Sequence, residues 1–163
     1  MPIFTTILGT AFCCSNKRTA TVGPTDDDLV GITYEQVFSW GKSFDTLMSY
    51  ATGQLVFERF LRTEFSDENL LFYWACEDMK AAATDAEVAE KSRIICLDFL
   101  SDTSPKQVSV NADVTEGVNK AMKNPTKEMF DDAIKEVWRT MARDSYRRFL
   151  VSEIYRSALN SFG

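Results

Sequence analysis

From Thr33 to the C-terminus, apolar residues recur at spacings of three and four, and almost no Pro or Gly falls inside the apolar segments. That pattern is the signature of amphipathic helices, and no alternating run competes with it as a strand. Val37, Trp40, Phe44, Leu47 and Met48 share one helical face, and Gly53 separates them from a further helix carrying Leu55, Val56, Phe57, Phe60 and Leu61. Between Leu70 and Cys76 the chain is apolar almost all the way round. A helix of that kind is surrounded by neighbours, which makes this segment the central helix. The fold class expected is all-α.

The helix ends are written in polar residues. Ser66 is read as the N-cap of the central helix, with Asp67 and Glu68 complementing its dipole. Thr84 or Asp85 caps the next, on which Val88, Ile95 and Phe99 repeat. Asp113 through Glu116 stands in for a capping box, and Asn124-Pro125 opens a long helix with the stripe Phe130, Ala133, Val137 and Met141. Asp144-Ser145 interrupts that helix before Tyr146, Phe149, Leu150 and Ile154 resume it. These segments define a domain over residues 33–160. Residues 1–32, with an apolar tip and the acidic turn-rich stretch Gly23 to Asp28, read as tail and linker.

Several function classes are disfavoured. The net charge of -6 argues against nucleic-acid binding, which needs clustered Lys and Arg to neutralise phosphates. There is no His, no CxxC pair and no phosphate-binding glycine motif, so no metal, cofactor or enzymatic site is expected. Carboxylates such as Glu64 and Glu68 could form an acid-base pair, but acids around a helix start more commonly serve its dipole. Cys76 and Cys96, inside apolar helical segments, read as core residues in a reducing compartment. Cys13 and Cys14 differ, being adjacent, preceded by apolar residues and followed by Lys17-Arg18. That context suits S-palmitoylation, and two acyl chains with basic residues supply the two signals that stable membrane attachment requires. An inert tail and a short secretory signal are the alternatives.

Two separated motifs carry a family resemblance. Glu64-Phe65-Ser66-Asp67-Glu68-Asn69, followed by Phe72 and Cys76-Glu77, and Asp144-Ser145-Tyr146-Arg147-Arg148-Phe149-Leu150 resemble the regulator of G-protein signalling (RGS) family over residues 38–159. The resemblance implies a nine-helix domain with a central antiparallel four-helix bundle and a second lobe from the terminal helices. It also implies a monomer that binds the switch regions of a GTP-bound Gα subunit of the Gi or Gq class and speeds hydrolysis without catalytic residues of its own. Matched by position, Glu64, Phe65, Ser66 and Asn69 form the first contact segment and Ser109 the second, with Thr140, Asp144, Ser145 and Arg148 in the third. Asn69 would orient partner side chains, and Arg148 would hold Asp144. Phe65, Ser109 and Thr140 depart from the commonest family residues Tyr, Asn and Leu, which bears on the choice of Gα. Ser109 together with the tail cysteines resembles the small subfamily with an N-terminal cysteine string. The location implied is cytoplasmic, against the inner face of the plasma membrane. An adaptor that binds without accelerating hydrolysis is the second reading.

Overall fold

The computed structural model describes residues 31–162, and every regular element among them is helical. Nine α-helical segments follow in order: α1 (Tyr34–Ser39), α2 (Phe44–Ser49), α3 (Ala51–Thr63), α4 (Glu68–Lys80), α5 (Asp85–Ile95), α6 (Ala112–Ala121), α7 (Asp131–Thr140), α8 (Tyr146–Leu150) and α9 (Glu153–Asn160). A π turn at Cys96–Leu100 extends α5, and another at Met141–Ser145 joins α7 to α8 without a break. The all-α expectation holds. The tail cysteines, Cys13 and Cys14, lie outside the described residues.

Two hydrophobic clusters organise these helices. The first gathers Trp40, Leu47, Phe57, Leu61, Phe149 and Ala158 from α1 to α3, α8, α9 and the turns beside them. The second gathers Phe72, Cys76, Val88, Phe99, Val118 and Val137 from α4 to α7 and the turn after α5. The four helices α4 to α7 form the bundle, in which α4 packs on both α5 and α7, and the terminal helices form the second lobe. Helix α4 serves both clusters. Leu70 enters the first with Tyr73 and Trp74 packed beside it, while Phe72, Cys76 and Met79 enter the second. An apolar surface on all sides is what such a shared helix requires.

The N-terminal elements differ from the sequence expectation in a way the packing explains. Val37 and Trp40 belong to one short helix and its end, and Phe44, Leu47 and Met48 to a second, although all five are buried. Thr33 starts the first with a reciprocal capping box, its Oγ1 accepting from the Gln36 N–H while Gln36 Oε1 accepts from the Thr33 N–H at 2.9 Å. Gly53 does not separate helices; it lies inside α3. A Cβ there would stand 2.4 Å from the Leu47 carbonyl oxygen and 3.3 Å from the Trp40 ring, so only Gly admits this approach. Further along, Thr84 caps α5 as expected, accepting from the Glu87 N–H at 3.2 Å. The long helix begins at Asp131 rather than at Pro125, because turns over residues 126–130 first lower Phe130 into the second cluster against Phe72. Lys127 ties that turn to the bundle by donating to the Ala82 carbonyl beyond the end of α4, at 2.7 Å.

Helix α1 and its end are latched to α8 and α9 by one tyrosine from each. Tyr146 Oη donates to the Trp40 carbonyl at 2.7 Å, and Tyr155 Oη to the Val37 carbonyl at 3.2 Å. Burial, assisted by Tyr155 nearby, pushes the Tyr146 hydroxyl from 10.0 up to about 12. The folded state therefore keeps a proton that the unfolded chain releases first, and the sign follows: this contribution is complete below pH 10 and is lost as pH rises toward 12. Stability measured by urea unfolding should decline across that window, with a shallower decline in Tyr146→Phe.

Candidate functional site

The junction between α3 and α4 carries the first segment. Helix α3 ends in a Schellman motif: the Ser66 N–H reaches the Leu61 carbonyl at 3.0 Å, and the Phe65 N–H reaches the Arg62 carbonyl at 3.2 Å. The motif needs a left-handed residue after the helix, a place normally filled by Gly. Here it is Phe65, at φ 53°. Its ring is 93% exposed. An aromatic side chain held outward on a backbone that costs about 1–2 kcal/mol gains nothing for packing, so the motif spends stability on presentation. Phe65→Gly should therefore raise stability by about 0.5–1 kcal/mol after the entropy that Gly itself costs. Urea unfolding of the two proteins under the same conditions tests the sign.

Ser66 corrects the sequence reading. It is one residue too early to cap α4, whose N-cap is Asp67 with no side-chain hydrogen bond. Its N–H is consumed in closing α3, and its hydroxyl points back to the Leu61 carbonyl at 3.5 Å. Asp67 faces Arg62 at 3.7 Å instead. Asn69, in the first turn of α4, is half-buried and donates to its neighbour Glu68 at 3.3 Å.

The third segment is not an interruption. The chain passes from α7 through the π turn to α8, leaving Thr140 and Asp144 exposed and Ser145 buried at 5%. A π turn inside an α-helix is commonly found at functional sites, because the extra residue re-aims the side chains that follow. Arg148 is the junction between segments. Its Nε and Nη2 donate to both oxygens of Glu64 at 2.9–3.1 Å, and its Nη1 pairs with Asp144 one turn back. Glu64 first and Asp144 second hold the guanidinium above its ordinary range, so it stays charged throughout the usable pH scale. The expected Arg148–Asp144 contact is present. The Glu64 partner, 84 residues away in sequence, was not foreseen.

Ser109 is exposed in the loop between α5 and α6, next to buried Val108, whose N–H is fixed to the Phe99 carbonyl at 2.9 Å. It borders an open groove of about 530 Å³ together with Leu100, Gln107 and Asn119. Asp113 does not cap α6: the N-cap is Asn111, whose side chain makes no capping bond and turns instead to Glu136 on α7. Sequence reasoning missed Glu136. The usable signal was the run 136, 140, 144 and 148, four residues apart on one helix face.

The remaining chemistry is quiet. Burial pushes the Cys76 thiol well above its ordinary range and Cys96 up to about 11, as suits packing residues rather than nucleophiles. Among the described residues, no group of three or more potential ligands could hold a metal ion, and no helix is long and apolar enough to cross a membrane.

Segments joined by Arg148, with an exposed aromatic ring displayed on the first and the Ser109 loop tied to α7 through Glu136, form the kind of surface with which a protein-binding module meets its partner. Residues 43–158 match the Regulator of G protein signaling domain, and the chain belongs to that family. It is 48% identical over 154 residues to "Regulator of G-protein signaling rgs-1" of Caenorhabditis elegans, covering 92% of this chain and 77% of that protein. It is also 50% identical over 125 residues to "Regulator of G-protein signaling 19" of Mus musculus, covering 77% and 58%. Against "Regulator of G-protein signaling 20" of Bos taurus the identity is 45% over 138 residues, covering 85% and 37%. The chain thus spans just over half of one of these mammalian relatives and about a third of the other. Likeness to the regulators numbered 19 and 20 agrees with the cysteine-string subfamily expected from the sequence.

Proposed function

We propose that the domain accelerates GTP hydrolysis on a GTP-bound Gα subunit of the Gi or Gq class, and thereby terminates signalling. Hydrolysis uses the partner's own catalytic residues. The regulator needs only to bind the transition-state arrangement of the switch segments more tightly than the ground state, and the barrier falls by that difference. The observation that carries the reading is the Arg148 bridge, which joins Glu64 of the first segment and Asp144 of the third into one surface. A domain built for packing alone has no use for that surface, or for an exposed Phe65 on a left-handed backbone.

Single-turnover GTP hydrolysis by purified Gα subunits, with and without the protein, tests the proposal. Acceleration with at least one Gi- or Gq-class subunit is expected. Binding without acceleration would replace the proposal with an adaptor role.

Cys13 and Cys14 extend it to the membrane. Acylated at both, the tail would hold a monomeric domain against the inner face of the plasma membrane, where its partner sits. The double variant Cys13→Ser, Cys14→Ser should move the full chain from the membrane to the soluble fraction of cells. Undiminished membrane attachment would assign the anchor to another segment.

A further inference from the structure

Asn111 breaks a local rule. An Asn at a helix N-cap ordinarily turns its side-chain oxygen onto the N–H groups of the first turn, which contributes about 1 kcal/mol. At the start of α6 that bond is absent, although the Asn111 carbonyl accepts from the Thr115 N–H at 3.0 Å and from its hydroxyl at 3.3 Å. The side chain faces α7 instead. The Asn111 N–H donates to Glu136 Oε2 at 2.7 Å, and Asn111 Nδ2 donates to Glu136 Oε1. One carboxylate thus takes the backbone and the side chain of one residue together, the geometry of a clamp. A cap forgone for a bond between elements is the kind of local conflict that marks function.

The clamp is placed between two contact segments. Ser109 stands two residues before Asn111, so its short stretch of loop has two anchors: buried Val108, hydrogen-bonded to Phe99, and Asn111, held by Glu136. Thr140 lies one turn beyond Glu136 and donates from Oγ1 to the Glu136 carbonyl at 3.1 Å. Asp144 and Arg148 continue the same face. Glu136 is therefore the point at which the loop carrying Ser109 is joined to the helix carrying Thr140.

We infer that Glu136 is a positioning residue for partner binding: by clamping Asn111 it fixes the separation between Ser109 and the Thr140–Asp144 face, so that both meet one Gα subunit at once. A small Ser at position 109 makes this more important. Its hydroxyl reaches less far than a long polar side chain and depends on the loop being held at the right distance. The inference rests on the function proposed above. It gives Glu136 its role through Asn111, not through a contact of its own with the partner.

A double-mutant cycle on the 163-residue chain tests it, using single-turnover hydrolysis on a Gα subunit that the unaltered protein accelerates. Glu136→Ala should raise the concentration for half-maximal acceleration by about fivefold, the loss expected when one charged hydrogen-bonded clamp is opened, and Asn111→Ala, which keeps its backbone N–H bond to Glu136, should raise it by less. The rate at saturation should stay within a factor of two of the unaltered protein, because the clamp orders a loop rather than meeting the reaction. The double variant should be no worse than the weaker single variant. Glu136→Gln, which keeps one acceptor, should recover part of the loss. Hydrogen exchange at the Asn111 amide should speed up in Glu136→Ala, with the exchange of α4 unchanged. Independent, additive effects of the two substitutions would mean that Glu136 meets the partner directly, and an unchanged half-maximal concentration would mean that the clamp has no part in binding; either overturns the inference. If the unaltered protein accelerates no Gα subunit, the proposed function itself falls and this inference falls with it.

Discussion

Asn69→Ala should lower GTPase acceleration at least tenfold while leaving the melting curve nearly unchanged. The fold asks little of this side chain. It is half-buried in the first turn of α4, and its hydrogen bond runs to Glu68, its immediate neighbour, rather than to another helix. Removing an amide of that kind from a helix surface costs stability about 0.5 kcal/mol or less, and Ala is the better helix former. At the proposed interface the balance reverses. An amide offers two donors and two acceptor sites at one position, and a loss of about 1.4 kcal/mol of transition-state binding is a factor of ten in rate. Single-turnover hydrolysis alongside thermal unfolding measures both quantities. A large fall in melting temperature would recast Asn69 as a structural residue, and unchanged acceleration would remove it from the site.

The second large effect concerns stability. Phe149 is fully buried and meets Phe57 edge-on at a centroid separation of 5.4 Å, Phe60 at 5.7 Å and Tyr155 at 5.1 Å. It is the side chain on which α8 closes over α3 and α9. Truncation to Ala leaves a cavity whose walls are aromatic rings and cannot collapse, at a cost of about 3–5 kcal/mol. Against a total of about 5–15 kcal/mol for a domain, that is enough to leave an appreciable unfolded fraction. Urea unfolding should show a sharply lower midpoint with an unchanged slope, whereas Phe38→Ala, on the 55% exposed ring of α1, should stay within about 0.5 kcal/mol of the unaltered protein. A cost below about 1 kcal/mol for Phe149→Ala would mean that the aromatic cluster does not hold the terminal lobe. Because Arg148 is the preceding residue, the same substitution should also loosen the bridge to Glu64.

Helical periodicity made the core legible. Phe130, Ala133, Val137 and Met141 are all fully buried, as their spacing of three and four required, and the apolar band of α4 proved to be shared by two clusters. Helix ends were less legible, for a common reason: the residues that looked like caps had been drawn into longer-range contacts. Ser66 closes the helix before it, Asn111 is claimed by Glu136, and Pro125 is followed by turns that serve Phe130 rather than by a helix. The π turn after Thr140 was hidden because Asp144-Ser145 resembles a helix break, whereas burying Met141, Ser145 and Tyr146 on one side keeps the helix running. In the candidate site, residue types came from the family resemblance, but their assembly did not. No local pattern pairs Glu64 with Arg148, and no propensity places a Phe at a left-handed position.

The Arg148 bridge also bears on the order in which the chain acquires its parts. Helices emerge from the ribosome from the N-terminus, and domains close as units once their long-range contacts are available. The segment Glu64 to Asn69 is made early, yet its guanidinium partner arrives 84 residues later, together with Phe149, which seats the helix that carries it. A nascent chain whose exposed part stops short of α8 therefore displays Phe65 and Asn69 on an unfinished surface. On the proposed function, the first contact segment would reach its binding geometry only once the last helices are in place.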